Sequence, residues 1–413
     1  MISRGQVVID DTLSMGKFTA TKHANGRDWW ILAHEQNTNR FYRILLDLQG
    51  FHNLGSQMVG ANAVDGFGQA CFSPNGEHYL MYDGITFDST IGSFLNLYDF
   101  DRCTGLLSNH RQTNIKPGGY GGVAFSPNSR YFYYNNWFWA YQYDMLAADI
   151  WASQTLIAEW DGYHAPTGTR FMFMQLMPDG KVYSCTSTLS TVLHVIQHPD
   201  EPAAFCNYQQ HAVHMPTRNS NSIPNFPHFR LGPVDGSSCD TLGLDNRPEA
   251  WYRYESDTLD VLHVDFHDLS SYEPATWSWD FGDGKKSAER HPTHQYAEKG
   301  IYEVCFTVSN VNGSDTHCKT LYLGVSAQEN PVLQNQVLVS PNPFRERIAV
   351  SLSASLRSPV FRMYDAVGQL IREERLAFGI TEVETVSLAA GMYFWEVLAG
   401  GERVKAGKVV KQP

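Results

Sequence analysis

The sequence predicts an all-β protein built from more than one domain. Three observations point there. A turn of the Pro-Asn/Asp-Gly type recurs about every fifty residues through the first half of the chain. Segments with strict two-residue apolar alternation follow in the second half. Aromatic residues make up 13% of a chain that also holds 33 glycines, a balance that favours pleated strands and tight turns over helix. At 413 residues the chain exceeds the roughly 250–300 at which a single core stops growing, so two or three domains are expected. The formal charge of −12 argues against non-specific nucleic-acid binding, which needs basic surface to displace counterions. No run approaches the ~18 apolar residues of a membrane helix, and no transmembrane segment is expected.

The first 230 residues contain an internal repeat. Asn25-Gly26, Asn75-Gly76, Asn128-Ser129 and Asp179-Gly180 fall at intervals of 50, 53 and 51 residues. Three sit in near-copies: Phe72-Ser73-Pro74-Asn75-Gly76, Phe125-Ser126-Pro127-Asn128-Ser129 and Leu176-Met177-Pro178-Asp179-Gly180. Each copy reads as a strand end, a turn and a second, aromatic or β-branched strand, which is a hairpin signature. A further strand follows each time, at 94–100, 140–144 and 191–197. Asp28-Trp29-Trp30-Ile31-Leu32-Ala33 is the equivalent strand of the earliest unit. Periods near 40–50 with several strands per unit indicate a β-propeller, here of about four blades over residues 1–232. The segments resemble propeller blades of secreted proteins.

The middle of the chain carries Trp277-Ser278-Trp279-Asp280-Phe281-Gly282-Asp283-Gly284, then His291-Pro292-Thr293-His294-Gln295-Tyr296, then Gly300-Ile301-Tyr302-Glu303-Val304-Cys305-Phe306. Tyr302, Val304, Phe306 and Val308 alternate as one buried face, and Leu321 and Leu323 continue it on the next strand. Gly282 and Gly284 permit a tight loop in which Asp280 and Asp283 accept backbone hydrogen bonds. The series resembles a PKD domain, which implies an immunoglobulin-like β-sandwich; its expected extent is 248–325, after a linker at 233–247.

Beyond a polar linker at 326–336, which contains Pro331, residues 337–413 hold a third set of landmarks. They are Ser340-Pro341-Asn342-Pro343-Phe344, a strand-like 361–364 running on to Gly368, then Leu388-Ala389-Ala390-Gly391-Met392-Tyr393-Phe394 and Gly407-Lys408-Val409-Val410-Lys411. In order and spacing they resemble the type A C-terminal sorting domain of the type IX secretion system, whose expected fold is a small β-sandwich. The resemblance implies handling by the type IX translocon and a final location outside the cell, or on its outer surface, reached through the periplasm of a Gram-negative bacterium. Such a substrate needs an export signal. The segment Met1 to Asp11 has no adequate apolar stretch before Asp10 and Asp11 interrupt it, and a four-blade ring stands at the bottom of the usual range of roughly 4–8. Both features lead to the expectation that blades and a signal peptide lie upstream.

Seven cysteines suit an oxidising compartment, and the odd count leaves at least one unpaired within the chain. Cys305 and Cys318 lie opposite the apolar face on adjacent strands. A four-residue loop from Asn310 to Gly313 sets them directly across from each other, whereas a two-residue Asn312-Gly313 turn does not. A Cys305–Cys318 disulfide is expected. Cys206 and Cys239 bracket the Pro- and Asn-rich junction after the repeats, where a bridge would contribute about 3–4 kcal/mol in the chain-entropy model. Cys71, Cys103 and Cys185 compete for a third assignment.

The search for chemistry is mostly negative. The chain has no Gly-x-Ser-x-Gly elbow, no His-Glu-x-x-His and no phosphate-cradling loop. His34-Glu35 lacks a second histidine. His194 and His198 have the spacing of zinc ligands on a helix but belong to a strand and its exit, where side chains four apart do not converge. His211 and His214 stand in a loop-like stretch, and His291 and His294 belong to the PKD signature; core or solvated histidines are the favoured reading of all of these. Asp280 and Asp283 could serve calcium, but six to eight oxygens are needed and loop stabilisation is favoured. No metal or cofactor is expected. The run Tyr131-Phe132-Tyr133-Tyr134-Asn135-Asn136-Trp137-Phe138-Trp139-Ala140-Tyr141 either packs between blades, the favoured reading, or provides sugar-stacking platforms at a propeller mouth. Pro117 to Gly122 reads as an inter-blade connection.

The expected function is non-catalytic binding of an extracellular glycan or protein by the propeller, with the PKD domain as spacer. The competing classes are a propeller hydrolase or lyase with its site at the central channel, and a structural surface component. Clustered acidic groups at the channel mouth would favour the enzyme, and an aromatic, uncharged mouth would favour binding.

Overall fold

The computed structural model describes residues 7–63, 67–84, 93–116, 118–225, 227–257, 260–324, 337–352, 359–366, 368–377, 379–399 and 402–412. The first six residues of the N-terminal segment, Phe226 of the junction and the linker with Pro331 therefore lie outside the described residues. The described chain is all-β, with Trp151–Ser153 as its one 3-10 turn. It divides into two compact units, one of Met1–Glu255, Asp265–His294 and Val304–Cys318, the other of Ser256–Val264, Gln295–Glu303 and Lys319–Pro413.

The first unit opens with four antiparallel sheets of four strands, each in sequential order. The first sheet holds β1 (Thr19–Lys22), β2 (Trp29–His34), β3 (Arg40–Asp47) and β4 (Gly50–Met58). The second holds β5 (Phe67–Phe72), β6 (His78–Gly84), β7 (Ser93–Asp101) and β8 (Leu106–Ile115). The third holds β9 (Gly121–Phe125), β10 (Tyr131–Asn136), β11 (Trp139–Asp144) and β12 (Thr155–Glu159). The fourth holds β13 (Phe171–Leu176), β14 (Val182–Thr186), β15 (Ser190–Ile196) and β16 (Tyr208–Asn219). First strands lie side by side, β5 against β1 and β9, and β9 against β13. These are the blades of a partial propeller.

One turn shapes every blade. The N–H groups of Gly26, Gly76, Ser129 and Gly180 donate back three residues to His23, Ser73, Ser126 and Met177 at 2.8–3.0 Å. Those four donors share the left-handed region, at φ +76°, +73°, +61° and +79°, where a Cβ is strained. The preceding Asn25, Asn75, Asn128 and Asp179 each accept, through Oδ1, the N–H two residues further on, an Asx turn that favours this geometry over extended chain. Ser129 tolerates the strained position while its hydroxyl accepts the Asn75 N–H of the preceding blade at 3.1 Å.

The turn fixes register, and register fixes which way each side chain points. On β6, Tyr79 and Met81 join a layer with Trp30, Leu32 and Phe41 of the first blade. Their neighbours Leu80 and Tyr82 join the opposite layer with Val123, Phe132 and Tyr134 of the third. On β10, Tyr131 and Tyr133 face Met174, Val182 and Ile196 of the fourth blade. Strands covered on both faces read as continuous apolar runs, and full burial of a large side chain contributes roughly 1.5–3 kcal/mol before entropy is counted. Near the first strands, the Gln69 amide ties three blades together. Its Nε2 donates to Met174 O at 2.5 Å, and its Oε1 accepts from Val123 N and Met174 N at 3.2 and 3.0 Å.

Seven strands follow: β17 (Tyr252–Ser256), β18 (His263–Asp268), β19 (Thr276–Asp280), β20 (Lys286–Ser287), β21 (Thr293–Gln295), β22 (Gly300–Asn310) and β23 (Gly313–Leu323). They form two sheets, β17-β18-β21 and β20-β19-β22-β23. Trp279 is fully buried and stacks on Phe306 with centroids 3.8 Å apart, and Tyr252 meets it edge-on at 5.0 Å. Asp280 Oδ1 accepts Gly282 N, and Asp283 Oδ1 accepts Lys285 N. Cys305 and Cys318 are joined by a disulfide. The turn between their strands is Val311-Asn312, and Thr307 and Thr316 hydroxyls meet at 2.8 Å in the same register.

The second expected disulfide is corrected. Cys239 is bonded to Cys103, and Cys206 is a buried free thiol. The junction folds back along the turns of the first two blades. Arg102 donates to Gly232 O, and Val234 N to Ala24 O at 2.8 Å. That path brings Cys239 to the turn between β7 and β8, whereas Cys206 packs in the third inter-blade layer beside Tyr133. Cys71 and Cys185 are also free, with thiols pushed by burial up to about 12.

The remaining strands lie in the second unit: β24 (Val337–Ser340), β25 (Arg347–Leu352), β26 (Val360–Tyr364), β27 (Leu370–Arg375), β28 (Gly379–Glu384), β29 (Gly391–Ala399) and β30 (Glu402–Lys411). Sheets β24-β25-β28 and β27-β26-β29-β30 enclose Ile348, Val350, Phe361, Met363, Val397 and Val409. The landmark residues serve this packing. Between Pro341 and Pro343, Asn342 donates to Lys408 O and accepts from Val410 N at 3.1 and 2.9 Å, bolting the segment to β30. Gly368 turns the chain at φ +85°, and the Tyr393 hydroxyl donates to Ala389 O, just before Gly391 starts β29.

At Gly76 an added Cβ would meet Arg102 Cδ and Leu231 Cδ2, both at 2.7 Å, whereas Gly236, at nearly the same φ, has open space. Gly76→Ala should cost about 1–3 kcal/mol in urea denaturation, and Gly236→Ala clearly less; equal losses would remove the close approach as the cause. In peptide mapping without reductant, Cys103–Cys239 and Cys305–Cys318 should be recovered, while the buried Cys185 and Cys206 alkylate only after denaturation. Recovery of a Cys206–Cys239 peptide would overturn the assignment.

Candidate functional site

The histidines singled out by sequence are mostly bound into the fold. His34 is buried against Ser14 Oγ at 3.0 Å, and Glu35 pairs with Arg40. His194 is fully buried; its Nδ1 accepts the His211 N–H, so Nε2 carries the proton donated to Thr169 O at 2.8 Å. His198 lies with its ring 6.0 Å from that of His267. His291 Nδ1 accepts the Asp268 N–H, and His294 pairs with Asp283 at 2.9 Å. Asp280 pairs with Lys286. Among the described residues, no three His, Cys, Asp or Glu side chains converge as a ligand set. His211 and His214 are not in a loop; both lie on β16, the edge strand of the fourth blade. Alternating apolar and polar residues there are interrupted by bulges, which disguised the strand.

The long aromatic run divides in two. All six residues of β10 are buried, as inter-blade packing requires. The tip of the β10–β11 hairpin is different: Trp137, Phe138 and Trp139 are only half-buried. Asn136 Oδ1 accepts the N–H groups of Phe138 and Trp139 at 3.1 and 3.0 Å, which closes the tip. Two further segments are pinned to it. Trp160 N, just past β12, donates to Phe138 O at 2.8 Å, and Phe171 N at the start of β13 donates to Trp137 O at 3.2 Å. The adjacent Arg170 places its guanidinium over the rings of Trp137, Phe138 and Trp160, at 5.2, 5.2 and 5.3 Å.

The loop from Trp160 to Thr169 extends this face. Trp160 Nε1 donates to Thr169 Oγ1, and the His164 ring meets the Trp160 ring at 5.9 Å. Tyr163 packs on His211 with centroids 4.3 Å apart, and His211 Nε2 meets Asp161 Oδ2 at 2.6 Å. Burial pushes the Asp161 carboxyl upward, but the Tyr163 N–H and His211 outweigh it and hold it below its ordinary value. The result is a face with aromatic planes, a cation and a paired carboxylate. Trp137 and Phe138 were legible as candidates. Trp160, Asp161, Tyr163 and Arg170 were missed, because nothing local to 160–170 places that loop on the hairpin.

A second concavity, a cleft of about 580 Å³, opens where the blade turns meet the junction and the β18–β19 loop. Phe72, Phe125 and Leu176 line it together with Tyr272, Arg230 and Asp268. Asp268 is occupied by Arg290 Nε and Trp277 Nε1 at 2.9 and 3.0 Å.

Comparison with known proteins adds two domain assignments. Residues 254–325 match the model of the PKD domain, and residues 338–412 that of the secretion system C-terminal sorting domain. The chain is 34% identical over 85 residues to collagenase ColA of Clostridium perfringens, covering 19% of this chain and 8% of that protein. It is 35% identical over 75 residues to the pre-pro-metalloprotease PrtV of Vibrio cholerae, covering 18% and 8%. The chain thus spans less than a tenth of these curated relatives. The crystal structure of the PKD1 domain of PrtV matches at 33% identity, over 19% of this chain and 98% of that one, with a TM-score of 0.18.

The buried histidines generate a pH prediction. Burial, first among the causes, pushes His34, His194, His228 and His267 down to about 4. A depressed folded value means the unfolded chain takes up protons first, so this stability is complete above about pH 6.5 and is lost as pH falls towards 4. Asp200, pushed by burial up to about 6, acts in the opposite sense, and four groups outweigh one. The melting temperature should fall from pH 7 to pH 4.5, and His194→Gln should flatten that slope; an unchanged slope would remove His194 from the account.

The residues at 254–325 are a PKD domain and those at 338–412 a type IX sorting domain, so this is a secreted or cell-surface all-β protein.

Proposed function

We propose that this protein is a non-catalytic recognition protein that binds a carbohydrate outside the cell, with the four-bladed region as reader and the PKD domain as spacer. The observation that carries this is the half-buried set of Trp137, Phe138 and Trp160, held by backbone hydrogen bonds from three segments. Rigid aromatic planes bordered by polar groups suit the apolar faces and hydroxyl rims of sugar rings. The enzyme reading finds less support. Glu77, Asp235, Asp268 and Glu273 line the 580 Å³ cleft, but among the described residues no three of its acidic or histidine side chains converge, Asp268 is paired with Arg290, and Glu77 accepts from the Asn75 amide.

The binding test uses affinity electrophoresis of the full chain against a panel of neutral and acidic polysaccharides. At least one should retard migration, and Phe138→Ala with Trp160→Ala should weaken that retardation tenfold or more, about 1.4 kcal/mol. A folded double variant that binds as well as the parent would overturn the reading.

The sorting domain supports a proposal about the route as well. We read residues 337–413 as an independent module that hands the chain from the periplasm of a Gram-negative host to the type IX translocon, with 1–232 and 248–325 as its passengers. Its core is self-contained, so few contacts need cross the polar linker. Deleting the residues after Pro331 should leave folded protein in the periplasm of a type IX-competent host. Normal secretion of the shortened protein would refute this assignment.

A further inference from the structure

Arg170 differs from other buried or half-buried arginines of the blades. Arg43 donates to Thr104 O and Leu54 O, Arg102 to three backbone carbonyls, and Arg111 pairs with Asp99. Among the described residues, the Arg170 side chain has no hydrogen-bond or ion-pair partner, and its Nε is buried and unbonded. What it has instead is rings, those of Trp137, Phe138 and Trp160 within 5.3 Å.

Rings and donors use different parts of a guanidinium. Aromatic faces engage its π surface, which contributes about 0.5–2 kcal/mol depending on solvation. The Nε is enclosed, but the Nη N–H groups lie in the same plane and stay available, and their pair matches a planar oxyanion in bidentate fashion. Partial burial of the cation costs solvation, and an anion bound there restores it. Asp161, the carboxylate on the same loop, is occupied by His211 and by the Tyr163 N–H. In a chain of net charge −12, a guanidinium held by rings alone, with neither carboxylate nor carbonyl, is a specific feature and not part of a general basic surface.

We infer that Arg170 anchors an acidic group of the saccharide, a carboxylate or a sulfate ester, while the surrounding rings stack on the sugar. This rests on the carbohydrate reading above and goes further by naming the ligand as an anionic polysaccharide.

The test measures binding of the full chain to polygalacturonate, dextran sulfate and neutral dextran. At least one acidic probe should bind tenfold or more tightly than dextran, and its affinity should fall as sodium chloride rises. Arg170→Gln should remove that preference, and Arg170→Lys should restore only part of it, because a point charge lacks the planar fork. The salt series on the unmodified protein stands whether or not the variants fold. The better of the two acidic probes identifies carboxylate or sulfate. If dextran binds as tightly as both acidic probes, or folded Arg170→Gln keeps the preference, the inference is overturned and the carbohydrate reading stands. If no polysaccharide binds, both fall.

Discussion

Each blade depends on one backbone requirement, a left-handed residue two places after the proline or its equivalent. Gly26, Gly76, Ser129 and Gly180 meet it at nearly the same φ, and the Asx side chain before each one biases the chain into the turn before any tertiary contact exists. The turn sets the register of the following strand. A slip of one residue would send every side chain of β6 or β10 to the wrong neighbour. The same turns then serve a second purpose. Their tips receive the returning junction, with Gly26 against Pro233 and Gly76 against Leu231, where any side chain would collide. Local geometry and long-range packing are therefore specified by the same few residues.

Blades made this way bury both faces, so polar groups between them must be satisfied internally. Gln69 does this at the first strands by serving Val123 and Met174 together. The Tyr133 hydroxyl donates to Pro199 O, and that of Tyr82 to Gly119 O. The Cys103–Cys239 bond adds a covalent tie at the turn that Arg102 already holds to the junction. Arg102 is pushed by burial down to about 10, and its carbonyl partners offset much of that cost of burial.

The aromatic face has a different physical basis. Trp137 and Phe138 continue a strand whose residues are all buried, yet they sit past its end, where the start of the next blade covers them only in part. Rings left half-covered keep apolar area that a ligand can remove from water. Their rigidity comes from the Asn136 side chain and from backbone bonds to Trp160 and Phe171, so a ligand would lose little by ordering them. Arg170 adds direction to a surface that would otherwise be merely sticky.

The sequence alone determined the local features. The fifty-residue turns and the alternation of Val304, Phe306 and Val308 follow from short-range sterics and hydrogen bonding, so reading the residues in order was enough; the Asn342 landmark was legible by resemblance, although its bonds to Lys408 and Val410 are long-range. The Cys305–Cys318 pair belongs here too, because adjacent strands of a hairpin leave few registers. Only the tertiary structure decided the rest. Cys239 and Cys103 are 136 residues apart, and their meeting depends on a junction path that no local preference encodes. The aromatic run divided between core and surface according to where the neighbouring blades end, which is a property of sheet packing. Arg170 became notable only through contacts with residues 10 to 33 positions away, brought together by three separate strand ends. Charge without a partner is defined by what surrounds it, and in this chain the surroundings come from the fold.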